Sequence, residues 1–279
     1  MRGPDPGRPG DDLDIVVRWP VLSGAAELAA LELWDRGATA VEERPADGDG
    51  VVLVASYPTP RAARLVAAAL ELDTETVPPG WRDEWKRHAV SVEVGTSIVV
   101  APAWRPVPVV ADRLVLEIDS GPCFGSGSHA STRLILQLLA KEPPAGLTVL
   151  DVGTGSGILA VAAARLGASR VIAIDLDPES PAVTDANARR NGVDDRIEAS
   201  TTDLAALTDI VDLALVNVTA GVHDGLAAAV IARVHPGGRI LVAGLLPGQW
   251  QHVADAYGTC AVVTLPELDG WVGAVLRRA

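Results

Sequence analysis

The chain has one phenylalanine, one methionine, two tyrosines and two cysteines in 279 residues. Cys123 and Cys260 are too few for a disulfide framework or a cysteine-rich metal site. A core poor in Phe and Met must be built from Ala, Val and Leu, and a hydrophobic content of 48% supplies enough of them. Basic side chains are also scarce: 23 Lys and Arg against 36 Asp and Glu leave a formal net charge of −13. Without a basic stripe to neutralise phosphates, a direct nucleic-acid substrate is not expected. A basic protein partner suits this charge better, although solubility explains it equally well. Every apolar run is broken by charge, Gly or Pro before it reaches spanning length, so no membrane segment is expected. The opening Met-Arg-Gly-Pro-Asp-Pro-Gly-Arg-Pro-Gly lacks an apolar signal core. Residues 1–12 therefore read as a disordered leader, and the protein as cytoplasmic.

What is present organises into two parts. Residues 13–78 alternate in the order βαββαβ. Strands are expected at Leu13–Arg18, Ala38–Glu43, Val51–Tyr57 and Thr74–Val77. A helix capped by Ser23 runs to Trp34 and stops at Gly37, and a second covers Arg61–Leu72. This is a small α+β, ferredoxin-like split unit, a fold that hosts many functions. Pro78-Pro79-Gly80 marks a boundary, and 79–94 reads as a linker built on a helix over Trp81–His88. Trp81, Trp85 and Trp104 lie near this junction, where packing explains them more simply than a grip on substrate. Two apolar strands, Ser97–Ala101 and Arg113–Ile118, approach the second part. From 147 onward strands and helices alternate as a parallel doubly wound sheet requires.

The chemistry concentrates at Val149-Leu-Asp-Val-Gly-Thr-Gly-Ser-Gly157. A strand enters a turn with Gly153, Gly155 and Gly157, a helix follows from Ile158, and Val171–Ile174 delivers Asp175 and then Asp177. The dinucleotide fingerprint requires a third glycine where this chain has Ile158. Asp151, just before the turn, would repel a pyrophosphate but attract the ammonium group of S-adenosylmethionine. The turn glycines then serve close backbone approach rather than anion binding. Asp175 stands where a carboxylate accepts hydrogen bonds from ribose hydroxyls. Asp177 and Pro178 are expected to cap and begin the next helix. The cofactor reading is S-adenosylmethionine, with Asp151, Gly153, Gly155 and Asp175 as contacts. Residues 95–279 then form a seven-stranded doubly wound methyltransferase sheet. Its last two strands, near 260–265 and 271–276, supply the antiparallel seventh strand.

Four segments carry a resemblance to a family: Phe124-Gly-Ser-Gly-Ser-His-Ala-Ser-Thr-Arg133, Asp151-Val-Gly-Thr-Gly-Ser-Gly-Ile-Leu-Ala160, Ile174-Asp-Leu-Asp-Pro178 and Asn187-Ala-Arg-Arg-Asn-Gly-Val193. They resemble the PrmA family, whose members methylate ribosomal protein L11 at the stalk base of the large subunit. The resemblance implies the same two-domain order, a substrate-capturing N-terminal domain, and cofactor contacts at Thr132, Gly153, Asp175 and Asn217. It implies L11, free or on the ribosome, as partner. Departures from the family pattern are Ser120-Gly121, Gly125-Ser126-Gly127 and Val218-Thr219-Ala220.

Asn217 ends the fourth core strand, Val211–Asn217, and is a candidate to hold the cofactor's methionine portion or accept a hydrogen bond from an incoming amine. Val218-Thr219-Ala220 offers no aromatic platform for a planar nitrogen, so a flexible aliphatic amine is the better-matched substrate. An amine must lose its proton before accepting a methyl group, and His129 is the candidate acceptor. His88, His223, His235 and His252 have no metal-ligand spacing, and no metal is expected. The expected reaction is methyl transfer to lysine side-chain or N-terminal amines of L11. The same chemistry on another protein or a small amine is the alternative.

Overall fold

The computed structural model describes residues 14–279 except 39, 47, 58, 78–88, 107–111 and 122. The expected leader 1–12, the Trp81–His88 helix and both of its tryptophans therefore lie outside the described residues. The chain divides into two compact units, Met1–Ala89 and Val90–Ala279.

The first unit runs β1 (Asp14–Leu22), α1 (Ala26–Asp35), β2 (Ala40–Pro45), β3 (Gly50–Ser56), α2 (Pro60–Leu70) and β4 (Asp73–Val77). Its antiparallel sheet has the order β2-β3-β1-β4. One face carries Val17, Leu53 and Ala55, which pack with Leu33 of α1 and Ala63 and Ala67 of α2. The alternation along β1 and β3 supplies that apolar face. Two helix starts differ from expectation. Ser23 does not cap α1: a short 3-10 turn, Ser23–Ala25, precedes it, and the Ser23 hydroxyl donates to the Asp49 carbonyl at 3.3 Å. For α2, Thr59 accepts from the Ala62 N–H at 3.1 Å and Pro60 fills the first turn, where its missing N–H is harmless.

The second unit opens with β5 (Val92–Val94), β6 (Ile98–Pro102) and β7 (Leu114–Ile118), a separate three-stranded sheet in the order β5-β6-β7. Val92–Val94, expected within the linker, is thus a strand. The two approach strands pair with each other in parallel.

The main sheet follows: α3 (Ala130–Lys141), β8 (Thr148–Val152), α4 (Ile158–Arg165), β9 (Arg170–Ile174), α5 (Ser180–Arg190), β10 (Ile197–Ser200), β11 (Val211–Asn217), α6 (Ala220–Arg233), β12 (Val234–Leu245), α7 (Trp250–Ala256), β13 (Cys260–Thr264), β14 (Glu267–Leu268) and β15 (Trp271–Arg278). The order is β10-β9-β8-β11-β12-β15-β13, with β14 attached to β15. The strands from β10 to β12 are parallel, and β15 lies antiparallel between β12 and β13.

The parallel strands are buried on both faces, so their side chains alternate between two cores. Val149, Val171, Leu213 and Leu241 face α3, α4 and the small sheet; Leu150, Ile172, Ala214 and Ile240 face α6 and α7. The result is an α/β fold with mixed sheets, and it leaves Asp151, Asp175 and Asn217 at the carboxyl ends of adjoining strands.

Candidate active site

The glycine turn is shaped by positive φ at Gly153, Gly155 and Gly157, at 71°, 53° and 79°. These are left-handed conformations that a side chain disfavours. Space is short as well. A Cβ on Gly155 would lie 2.6 Å from the Phe124 carbonyl oxygen, and one on Gly153 would lie 2.9 Å from Val218 Cγ1. The glycines therefore admit two neighbouring segments, the Phe124 loop and the residues after Asn217. The N–H groups of Gly153 and Thr154 donate to the Ile174 carbonyl at 2.9 and 3.1 Å, which anchors the turn to the end of β9.

Asp151 is 1% exposed. Its Oδ2 accepts from the Thr154 hydroxyl at 2.7 Å and from the Ala160 N–H at 3.1 Å, but its buried Oδ1 has no partner. Burial pushes its pKa up to about 7, against the opposing pull of Thr154 and Ala160, with the nearby Asp175 carboxylate adding to the rise. A buried carboxylate oxygen without a donor calls for one. A ligand ammonium meets that need, so this donor set fits the cationic end of S-adenosylmethionine.

Asp175 follows β9 and is half-buried. Its Oδ2 accepts from the Gly155 N–H at 2.8 Å and its Oδ1 from the Asp177 N–H at 3.0 Å. Two backbone donors fix the carboxylate while each oxygen retains further acceptor capacity for a diol. Asp177 does not cap α5. Its Oδ1 accepts from the Glu179 N–H at 2.9 Å in a local turn, and the helix begins at Ser180 with Pro181, not Pro178, in its first turn.

Thr132 and Asn217 come together. Thr132 lies in the first turn of α3, 1% exposed, and Asn217 Nδ2 donates to its Oγ1 at 3.2 Å across 85 residues of sequence. Asn217 does not cap α6, whose N-cap is Thr219.

His129 sits at the N-cap of α3. Its Nδ1 accepts from the Ser131 N–H at 3.3 Å and is 2.7 Å from the Ser131 hydroxyl. The ring stands edge-on to Phe124 and Trp271, with centroids 5.5 and 4.4 Å apart. Burial, with Arg133 nearby, lowers its pKa to about 4. At neutral pH the ring is uncharged, and a lone pair on Nδ1 leaves the proton on Nε2. That tautomer caps the helix and has no free basic nitrogen to offer an amine.

Sequence reasoning passed over Ser156, Thr184 and Asn187 as site-shaping residues. The Ser156 N–H donates to the Phe124 carbonyl at 2.9 Å and its hydroxyl to the Gly125 carbonyl at 2.6 Å. Thr184 Oγ1 donates to the Gly155 carbonyl at 3.3 Å, and Asn187 Nδ2 to the Ser156 carbonyl at 2.8 Å. A signal existed: Asn187 stands inside a helix, whose interior disfavours asparagine, one turn before a second asparagine, Asn191, at the C-cap.

The other described histidines are engaged elsewhere. His223 is buried against Tyr257, and His235 and His252 lie beside Asp212 and Asp224. Among the described residues no group of His, Cys, Asp and Glu is arranged to hold a metal, and no helix is long and apolar enough to cross a membrane.

The chain is similar to known proteins over most of its length. The family model "Ribosomal protein L11 methyltransferase (PrmA)" matches residues 62–279. A protein of Pelotomaculum thermopropionicum named ribosomal protein L11 methyltransferase is 39% identical over 237 residues, 84% of this chain and 77% of its own length. One of the same name from Pelobacter propionicus is 39% identical over 207 residues, covering 71% and 67%. The crystal structure of the ribosomal protein L11 methylase of Lactobacillus delbrueckii subsp. bulgaricus superposes with a TM-score of 0.63 at 28% identity. That match covers 68% of this chain and all of the other. A family match over most of the chain, together with relatives this similar, shows that the chain belongs to the ribosomal protein L11 methyltransferase (PrmA) family.

Proposed function

We propose that this protein transfers methyl groups from S-adenosylmethionine to lysine side-chain amines, N-terminal amines or both in ribosomal protein L11. The observation that carries the reading is the meeting of Thr132 and Asn217 beside a glycine turn with a buried, half-satisfied Asp151. Asp151 would hold the cofactor's ammonium, Asp175 its ribose, and Gly153 and Gly155 would let it lie close to the backbone. The cofactor supplies an electrophilic methyl on a sulfonium. The protein's own residues then have two tasks, orienting an amine toward that methyl and excluding water from it.

Asn217 presents an amide oxygen that can accept from an incoming amine while its Nδ2 is held by Thr132. Desolvation would lower the amine's pKa so that it gives its proton to solvent water as it enters the site, because the His129 nitrogen that could accept a proton is committed to capping α3. The segment after Asn217, Val218-Thr219-Ala220, has no aromatic ring to stack on a planar base or amide, which favours an aliphatic amine.

The finer architecture belongs to the same proposal. The βαββαβ order with strand order β2-β3-β1-β4 supports a ferredoxin-like unit, for which we propose capture of L11 as its role. The path from β10 through β15 to β13 supports the seven-stranded methyltransferase sheet. The acidic chain suits a basic protein partner, free or on the ribosome, better than nucleic acid or a membrane surface. The test is transfer of labelled methyl from S-adenosylmethionine into total bacterial ribosomal protein, read by mass spectrometry. L11 amines should carry the label; labelling of another protein or a small amine, with none in L11, refutes this substrate.

A further inference from the structure

The Asn187 side chain is fully buried, and both its amide oxygen and its amide nitrogen are engaged. Oδ1 accepts from the Asp119 N–H at 3.0 Å and from an Arg190 guanidinium N–H at 2.8 Å. Nδ2 donates to the carbonyls of Asp119 and Ser156, both at 2.8 Å. One helical turn later, Asn191 repeats the first half of this pattern: Oδ1 accepts from the Glu117 N–H at 3.0 Å and Nδ2 donates to the Glu117 carbonyl at 2.8 Å. Its remaining bond returns to the Asn187 carbonyl within α5. Two asparagines thus read alternate residues, 117 and 119, as a neighbouring strand would. Only Asn187 reaches on to the glycine turn.

The segment beyond Asp119 is fastened to that same turn. Phe124 and Gly125 give their carbonyls to Ser156, and Cys123 Sγ lies 3.6 Å from Ser180 Oγ at the start of α5. Ser156 therefore takes the loop on its N–H and hydroxyl, and Asn187 on its carbonyl. We propose that Asn187 is a positioning residue that locks the 119–129 segment to the glycine turn, so that the loop leading to Thr132 and the turn facing the cofactor move as one body. The proposal rests on the glycine turn being the cofactor site. Asn191 provides a built-in control, because it makes the same kind of latch without touching the turn.

The experiment compares Asn187→Ser with Asn191→Ser in the full chain. Affinity for S-adenosylhomocysteine is measured by calorimetric titration and stability by thermal melting. Both variants should melt lower by similar amounts. Asn187→Ser should bind at least tenfold more weakly, and Asn191→Ser within twofold of the parent. Equal affinity losses in the two, or unchanged affinity in Asn187→Ser, overturn the proposal. Should Asn187→Ser fail to fold, amide exchange in the unaltered protein decides. With ligand, the Asp119 N–H should gain at least tenfold protection and the Glu117 N–H none; equal gains overturn it. Asp175→Ala separates the two layers. If it too binds the ligand with unchanged affinity, the cofactor placement fails and takes the proposal with it. If it weakens binding while Asn187→Ser does not, Asn187 alone is refuted.

Discussion

Asp151, at the carboxyl end of β8, is 1% exposed and leaves one oxygen without a partner. Asp175, just past the end of the adjacent β9, is half-buried with each oxygen held by a backbone N–H. The two residues share the carboxyl end of the sheet but not an environment. Asp175 is oriented in advance, so in the proposed site it would bind a ribose with little reorganisation. Asp151 carries a buried charge that a ligand cation would relieve. On this proposal one carboxylate supplies geometry and the other charge.

The largest expected effect tests the geometric half. Asp175→Ala removes the ribose acceptor and releases the Gly155 and Asp177 N–H groups. Two hydrogen bonds to a charged group, at about 1.5 kcal/mol each or more, correspond to a loss of about 100-fold or more in cofactor affinity. Titration with S-adenosylhomocysteine measures it, and a loss below threefold removes Asp175 from the site. The charge half comes next. Asp151→Asn keeps the shape and the acceptor for Thr154 and Ala160, and costs the ammonium its counterion. Affinity should fall about tenfold, roughly 1.4 kcal/mol, while the melting temperature at pH 8 holds or rises because a buried charge has gone. A fall of several degrees would mean that the fold needs the charge, and the contrast with Asp175 would collapse.

The sequence disclosed these two residues unequally. The place of Asp175 just past the end of β9 was legible from strand-helix-strand spacing alone. Asp151 was legible as a charge, but its orphaned oxygen depends on how α4 packs over β8, which spacing does not encode. Alternation of strands and helices led to the parallel pairing of the main sheet but not to its strand order, since alternation does not say which strands become neighbours. The separate β5-β6-β7 sheet was not legible either, because short apolar strands look alike whether they join the main sheet or form their own. Short polar side chains misled the cap assignments: Ser23 and Asp177 both stand before helices, and both spend their side chains on turns. Family resemblance pointed to Thr132 and Asn217 separately, each as a cofactor contact; their hydrogen bond to each other, across 85 residues, was not foreseen, since no local pattern predicts which strand end meets which loop.

The contrast has a pH signature. Burial raises the Asp151 pKa to about 7, above its value in the unfolded chain, so the folded protein holds this proton more tightly. Its contribution to stability is greatest at low pH and falls as pH rises from the ordinary carboxylate range to about 7, then levels off. Cofactor binding runs the other way, because pairing with the ammonium requires the ionised form. Affinity should drop up to about tenfold per pH unit below 7, with proton release on binding. Calorimetry in buffers of different ionisation enthalpy measures the release. Asp151→Asn should flatten the profile, and a flat profile in the unaltered protein would deny Asp151 its role.

The smallest effect is the sharpest probe, because it alters Asp151 without touching the ligand contact. Thr154 donates its hydroxyl to Oδ2 at 2.7 Å, which favours the ionised form and holds the pKa below where burial alone would put it. Thr154→Val removes that donor, while the backbone N–H of residue 154 stays on the Ile174 carbonyl. A hydrogen bond of about 0.5–1.5 kcal/mol corresponds to an upward move of up to about one pH unit in the midpoint of the affinity profile. Above that midpoint the variant should bind as tightly as the parent, since the ammonium faces Oδ1 and the same carboxylate is restored. A uniform loss at every pH would instead mean that Thr154 shapes the turn itself. A midpoint that stays in place would mean that Asp151 is not the group titrating.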